Sequence, residues 1–211
     1  MRTDDVINLL VQDLPTPAPD AGAALRRSLP LAALLAGGCF LVVAGVRGDL
    51  MSTGLGPTLL KLVLGAILAI GGVLGAIRMT RPDMQAAATM KFLVAAGFFL
   101  AGSIALDLAI DGLANWPARL FGKGVLPCLT LIPTLAALPL IASLMALRHG
   151  ATTAPAASGV LAGLASAGLA IAAYGMFCTE DSPLFVATWY TLAAGIVSLG
   201  GAALGRVILR W

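Results

Sequence analysis

Six long apolar runs divide this chain, at residues 30–46, 58–77, 91–110, 125–147, 156–177 and 184–209. Most reach the ~17–25 residues that a helix needs to cross a bilayer, and the first is the shortest. Lipid offers backbone groups no hydrogen-bond partners, so runs of this length span it as helices. Composition agrees: hydrophobic residues fill 59% of the 211 positions and charged residues 11%, against about 25% charge in an average soluble domain. A soluble fold of this size has no interior that could hide so much apolar surface. The expectation is an all-α integral membrane protein with six transmembrane helices, preceded by a short cytoplasmic N-terminal amphipathic helix. Residues 1–29 form the segment outside the membrane, and residues 30–211 the six-span domain.

Basic residues orient the spans. With the N-terminus inside, the cytoplasmic segments hold Arg2, Arg26, Arg27, Arg78, Arg81, Lys91, Arg148, Arg206 and Arg210. The opposite side holds Arg47, Lys61, Arg119 and Lys123. Nine against four follows the positive-inside rule and places both termini in the cytoplasm. The formal charge of +3 is thus a topology signal. Direct nucleic-acid binding is not expected, because no basic cluster lies on a soluble element.

The stretch Leu35-Ala36-Gly37-Gly38-Cys39, behind Arg26-Arg27, has the look of a lipoprotein cleavage site. The leader before it is long and acidic, and the apolar run continues past the cysteine as Phe40-Leu41-Val42-Val43. An uncleaved first span is the better reading.

Ahead of that span, Thr3-Asp4-Asp5 can start a helix, since Thr caps and acids favour the positive helix end. Val6, Leu9, Leu10 and Leu14 recur near helical spacing, with Asn8, Gln12 and Asp13 outside the stripe. Pro15, Pro17 and Pro19 then stop the helix and make a stiff tether. A helix of about 11 residues is marginal alone in water, so its apolar stripe suits a partner's groove. Lying on the lipid surface is the alternative, and the acidic face counts against it.

Chemistry is sparse. His149 is a lone residue at the end of the fourth span, and no catalytic set, phosphate-binding loop or intramembrane acid–base pair is visible; an enzyme is not expected. Asp107 and Asp111, near the outer end of the third span, read as interfacial acids. Gly65, Gly71, Gly72 and Gly75 in the second span and Gly195, Gly200, Gly201 and Gly205 in the sixth allow close helix approach. Pro133 and Pro139 are expected to bend the fourth span.

The exception is Phe177-Cys178-Thr179-Glu180-Asp181-Ser182-Pro183, where a thiol sits beside two carboxylates. Cys128 opens the fourth span and Cys178 closes the fifth. About 20 residues lead from Cys128 to the inner turn and about 22 lead back, legs of ~30–33 Å at 1.5 Å per residue. Both sulfurs therefore lie at similar depth on the outer face, on helices joined by a short turn. Two thiols with Glu180 and Asp181 nearby suit a soft or borderline divalent metal; in an oxidising compartment the same two could form a disulfide. Two unrelated interfacial residues is the plainer alternative. Cys39, about seven residues or ~10 Å below its helix end, reads as a small core residue.

The string Tyr174-Gly175-Met176-Phe177-Cys178-Thr179-Glu180-Asp181-Ser182-Pro183, with Phe185 and Trp189-Tyr190-Thr191-Leu192 after it, resembles the signature of the NrsF-type membrane anti-sigma factors of proteobacteria. The opening Met1-Arg2-Thr3-Asp4-Asp5-Val6-Ile7 and the Pro127-Cys128 step also look like that family. The resemblance covers essentially the whole chain. It implies a bacterial inner-membrane protein that restrains an extracytoplasmic-function sigma factor and frees it under heavy-metal or oxidative stress. It also implies that the family's paired cysteines map onto Cys128 and Cys178, while Cys39 has no role to carry over. Asp4, Asp5, Val6, Leu9, Leu10 and Leu14 are then the expected sigma-factor contacts. No resident cofactor is expected; a divalent heavy-metal ion would be a transient signal. A small six-span transporter or channel is the alternative, and it would ordinarily want ionisable groups near the midplane.

Overall fold

The structure is a computed structural model, and it describes residues 3, 20–48, 55–80, 87–112, 115–150 and 152–210. The expected N-terminal helix and its contacts Asp4, Asp5, Val6, Leu9, Leu10 and Leu14 lie outside those residues, as do Pro15, Pro17 and Pro19. Every described element is a helix: α1 (Ala21–Ala44), α2 (Gly56–Met79), α3 (Ala87–Asp111), the short α4 (Trp116–Phe121), α5 (Val125–Leu147), α6 (Pro155–Gly175) and α7 (Pro183–Ile208). Six helical segments are long and apolar enough to cross a membrane.

The first helix starts earlier than its apolar run. Asp20 caps it, its carboxylate accepting from the N–H of Gly22 at 3.3 Å and of Ala23 at 3.2 Å. Arg26 and Arg27 therefore belong to the first turns of α1, where long basic side chains keep their charges at the interface. Gly45, at φ +80°, ends the helix in a conformation that favours glycine. The buried face of α1 is Leu25, Leu29, Ala32 and Gly37. Cys39 falls off this face and is exposed, which corrects its reading as a core residue. Helix α5 begins at Val125, so Pro127 is its third residue, and it runs unbroken through Pro133 and Pro139.

Helix α6 is the axis of the bundle. It packs against α2 on one side, α7 on another, and against α5, so the expected α5–α6 adjacency holds. Its residues are buried nearly all round, as a central helix requires. Glycines set the spacing. A Cβ on Gly72 would lie 2.4 Å from the Ala165 nitrogen, and one on Gly65 2.6 Å from the Gly168 carbonyl. On the α7 side a Cβ on Gly159 would meet the Gly201 carbonyl at 2.1 Å, and one on Gly205 the Pro155 carbonyl at 2.6 Å. Of the glycines expected to pack, Gly71 abuts Phe92 of α3, while Gly195 and Gly200 have open space beside them. Helix α3 packs mainly on α2, burying Ala96 and Leu100 and leaving Phe98, Leu106 and Ile110 exposed.

Candidate functional site

The end of α1, the starts of α2, α5 and α7, and the end of α6 meet on one face of the bundle. The segment Met176–Ser182 crosses this face and collects contacts from all sides. Tyr174 holds its first residues: the Phe177 N–H donates to the Tyr174 carbonyl at 3.0 Å, and the Cys178 N–H donates to it at 2.9 Å. Cys178 is thereby placed one turn past the helix end, and it is buried. Cys128 is the fourth residue of α5 and fully buried. The two thiols are free and lie within electrostatic reach of each other. Both belong to the same packed cluster as Tyr174, Phe185 and Tyr190. Phe40 of α1 closes the other side, its ring 5.4 Å from that of Phe177 and 6.4 Å from that of Tyr174.

A cavity of about 490 Å³ opens onto Cys178. Its walls come from Ala44, Arg47, Lys123, Pro127, Tyr174, Phe177, Cys178 and Glu180, among others. Cys178 lines it and Cys128 does not, so a small reagent entering from this face meets Cys178 first.

The two carboxylates beside Cys178 have partners of their own. Glu180 folds over the α4–α5 turn, where its Oε1 accepts from the Lys123 N–H at 2.7 Å. Gly122 and Gly124 make room for it: a Cβ on either would lie 2.7 or 2.9 Å from the glutamate side chain. The Trp189 indole N–H donates to the Leu120 carbonyl at 2.8 Å and fastens α7 to the same turn.

Asp181 faces two cations. Arg47 grips it with two prongs, Nη1 to Oδ1 at 2.7 Å and Nη2 to Oδ2 at 2.9 Å. Lys61 Nζ donates to the same Oδ1 at 3.1 Å. Both cations also hold the Cys178 carbonyl, Lys61 at 2.8 Å and Arg47 at 3.3 Å, and the Arg47 N–H donates to the Met176 carbonyl at 3.2 Å. The lysine side chain is fully buried, that of Arg47 is 2% exposed and that of Asp181 28%. Burial pushes the Asp181 carboxyl up, but hydrogen bonds and charge from Arg47 and Lys61 outweigh that and hold it below its ordinary value. Lys61 reaches this position by lying across Gly175, where a Cβ would come within 2.8 Å of the lysine stem.

The structure thus places Cys128 and Cys178 in one buried cluster, pairs Asp181 with Arg47 and Lys61, and sets Glu180 on the Lys123 N–H at the rim of the same cavity. Among the described residues no group of three or more His, Cys, Asp and Glu side chains is arranged to hold a metal ion. Of the three charged groups only Lys61 lies inside an apolar run, the second, while Arg47 and Asp181 lie between runs. A lysine within an apolar run is the signal in the sequence that could have pointed to this cluster. Asp107, near the end of α3, pairs with Arg119 of α4. The side chain of Asp111 lies outside the described residues. His149 sits at the end of α5, its Nδ1 3.3 Å from the Ala146 carbonyl.

A six-span helical bundle with two buried thiols under an open cavity is the class that the fold and this face define. Comparison with known proteins narrows it: the NrsF family, described as "Negative regulator of sigma F", matches residues 10–211. The chain is also 34% identical, over the full length of both chains, to the protein named Anti-sigma-F factor NrsF from Caulobacter vibrioides (strain NA1000 / CB15N). The chain belongs to the NrsF family. No solved structure matches it.

Proposed function

We propose that the chain is a bacterial inner-membrane anti-sigma factor, with both termini in the cytoplasm, that holds an extracytoplasmic-function sigma factor and releases it under heavy-metal or oxidative stress. Membership of a family of negative regulators of a sigma factor supports the partner. The apolar stripe Val6, Leu9, Leu10 and Leu14, with Asp4 and Asp5 at its rim, is the segment that would dock it. Burying one leucine is worth about 1.5–3 kcal/mol, so Leu9→Asp with Leu10→Asp abolishes retention of the sigma factor on membranes and leaves its target genes on.

One observation supports the sensing half: two free thiols buried in one packed cluster, with Cys178 bordering a cavity that opens on one face. The chemistry two adjacent thiols share is capture of a thiophilic divalent ion, or loss of two electrons and two protons to an oxidant to make a disulfide. Glu180 and Asp181 could join an ion only after leaving their present partners. Either event favours release only if it favours the releasing conformation over the holding one. Cys128→Ser and Cys178→Ser, singly or together, should leave basal repression intact and abolish induction, and Cys39→Ser should change little. Thiol labelling before and after cadmium or an oxidant separates the two chemistries: protection reversed by chelator means an ion, protection reversed by reductant means a disulfide. Normal induction in the double variant would end the sensing role. A cytoplasmic report from a topology reporter fused after Thr179 would do the same, because the thiols would then face the reducing side.

A further inference from the structure

We propose that Arg47, Lys61 and Asp181 form a latch that keeps the thiol site in its holding conformation and ties it to α1, the helix leading to the N-terminal segment. This rests on the reading of the cysteines as the receiving site. The contacts converge on the backbone of the cysteine itself: its carbonyl accepts from both cations, and its N–H is fixed to the end of α6. A reaction at the Cys178 sulfur that moves this residue must drag or break those bonds. Arg47 is where the movement leaves the loop. It is held there by side chain and backbone, and only Val46 and the positive-φ Gly45 separate it from the last residue of α1.

Bundle stability does not account for three ionised groups here. Backbone contacts at the glycines already bring α2, α6 and α7 together, and apolar side chains in place of a buried ion cluster are often neutral or stabilising. Two cations sharing one carboxylate form a discrete element with made and broken states. The cluster is made in this structure, and this made state is assigned to the holding conformation, with Arg47, Lys61 and Asp181 as positioning residues for the switch.

The test uses the full-length protein in its own membrane. Asp181→Asn keeps the shape and removes the charge that holds both cations. Uninduced transcription of the target genes is expected to rise about tenfold or more, with normal amounts of protein in the membrane and faster labelling of Cys178 by a maleimide. The same rise is expected in a Cys128→Ser, Cys178→Ser background, because the latch acts after the thiols, and Asp181→Glu should restore repression. Where Asp181→Asn lowers the amount of protein, Arg47→Lys takes its place: it keeps the charge, loses the two-pronged grip, and should lower the inducer concentration needed for half response. Normal repression with an unchanged inducer threshold in these variants overturns the latch. So does derepression that merely tracks loss of protein in both. If the cysteine variants stay inducible while Asp181→Asn is derepressed, the thiol reading fails and the latch stands.

Discussion

The middle of the bundle and its cysteine-bearing face hold helices together by opposite means. In the middle, α6 meets α2 and α7 backbone against backbone at glycines, with no charged group involved. At the face, α1 and α2 reach the α6–α7 segment through a guanidinium, an ammonium and a carboxylate. Close packing tolerates almost no displacement, since interiors this dense transmit strain and do not deform continuously. An ion cluster beside a cavity can break and re-form. The molecule therefore has a stiff hub and a face that can change state, and the thiols are on the face that can change.

The largest effect should come from forcing the hub apart. Gly159→Val places a side chain where even a Cβ meets the Gly201 carbonyl at 2.1 Å. Overpacking costs about 1–3 kcal/mol and at times more, and a backbone contact has no side chain that can yield. The variant should melt far below the parent in detergent and accumulate poorly in membranes; a normal melting temperature would show that α6 and α7 are not held at this crossing.

Lys61→Met separates the two regions. It removes the hydrogen bonds to Cys178 and Asp181 but also the cost of burying an ammonium, and Asp181 keeps Arg47 as partner, so the loss should stay below the ~3–5 kcal/mol of leaving a buried charge unpaired. Labelling of Cys178 should nevertheless become several-fold faster. A large loss of melting temperature would make the face part of the hub.

Acid should act on the face alone, and late. Because the folded-state pKa of Asp181 is lowered, its contribution is fully present above the unfolded carboxyl value of ~3.9. It is lost as pH falls through the lower folded value. Cys178 labelling, corrected for the reagent's own pH dependence, should stay flat from neutrality to about pH 5; a step within that window would mean that Asp181 is not held as described.

The smallest effect is expected at Gly200→Ala. Nothing lies within 4 Å of the added carbon, so the change should be neutral or stabilising by up to about 1 kcal/mol. The neighbouring Gly201→Ala, whose Cβ would lie 2.3 Å from the Gly159 carbonyl, should instead destabilise.

That pair also shows how far reading the chain alone reaches. Gly200 and Gly201 are indistinguishable in composition and hydropathy, and only the rotation of α7 against α6 makes one a contact and leaves the other free. Gly159, Gly163 and Gly168 of α6 are not set apart by anything in the sequence, although they are the other half of both crossings. Cys39 shows the same limit: depth along a helix follows from counting residues, whereas the direction a residue faces depends on which neighbours the helix acquires. Cys128 and Cys178 were legible because counting is enough for depth. Glu180 and Asp181 were not, because their partners are 57 and up to 134 residues away along the chain.

What the amino-acid sequence determined by itself was the helical class and the number and order of the helices long and apolar enough to cross a membrane. Those follow from hydrophobicity and a fixed rise per residue, which are local. Tertiary structure alone decided that a lysine inside an apolar run and an arginine beyond another would meet on one aspartate beside Cys178. Buried charges must find their partners wherever the fold brings them, and no spacing along the chain encodes that meeting.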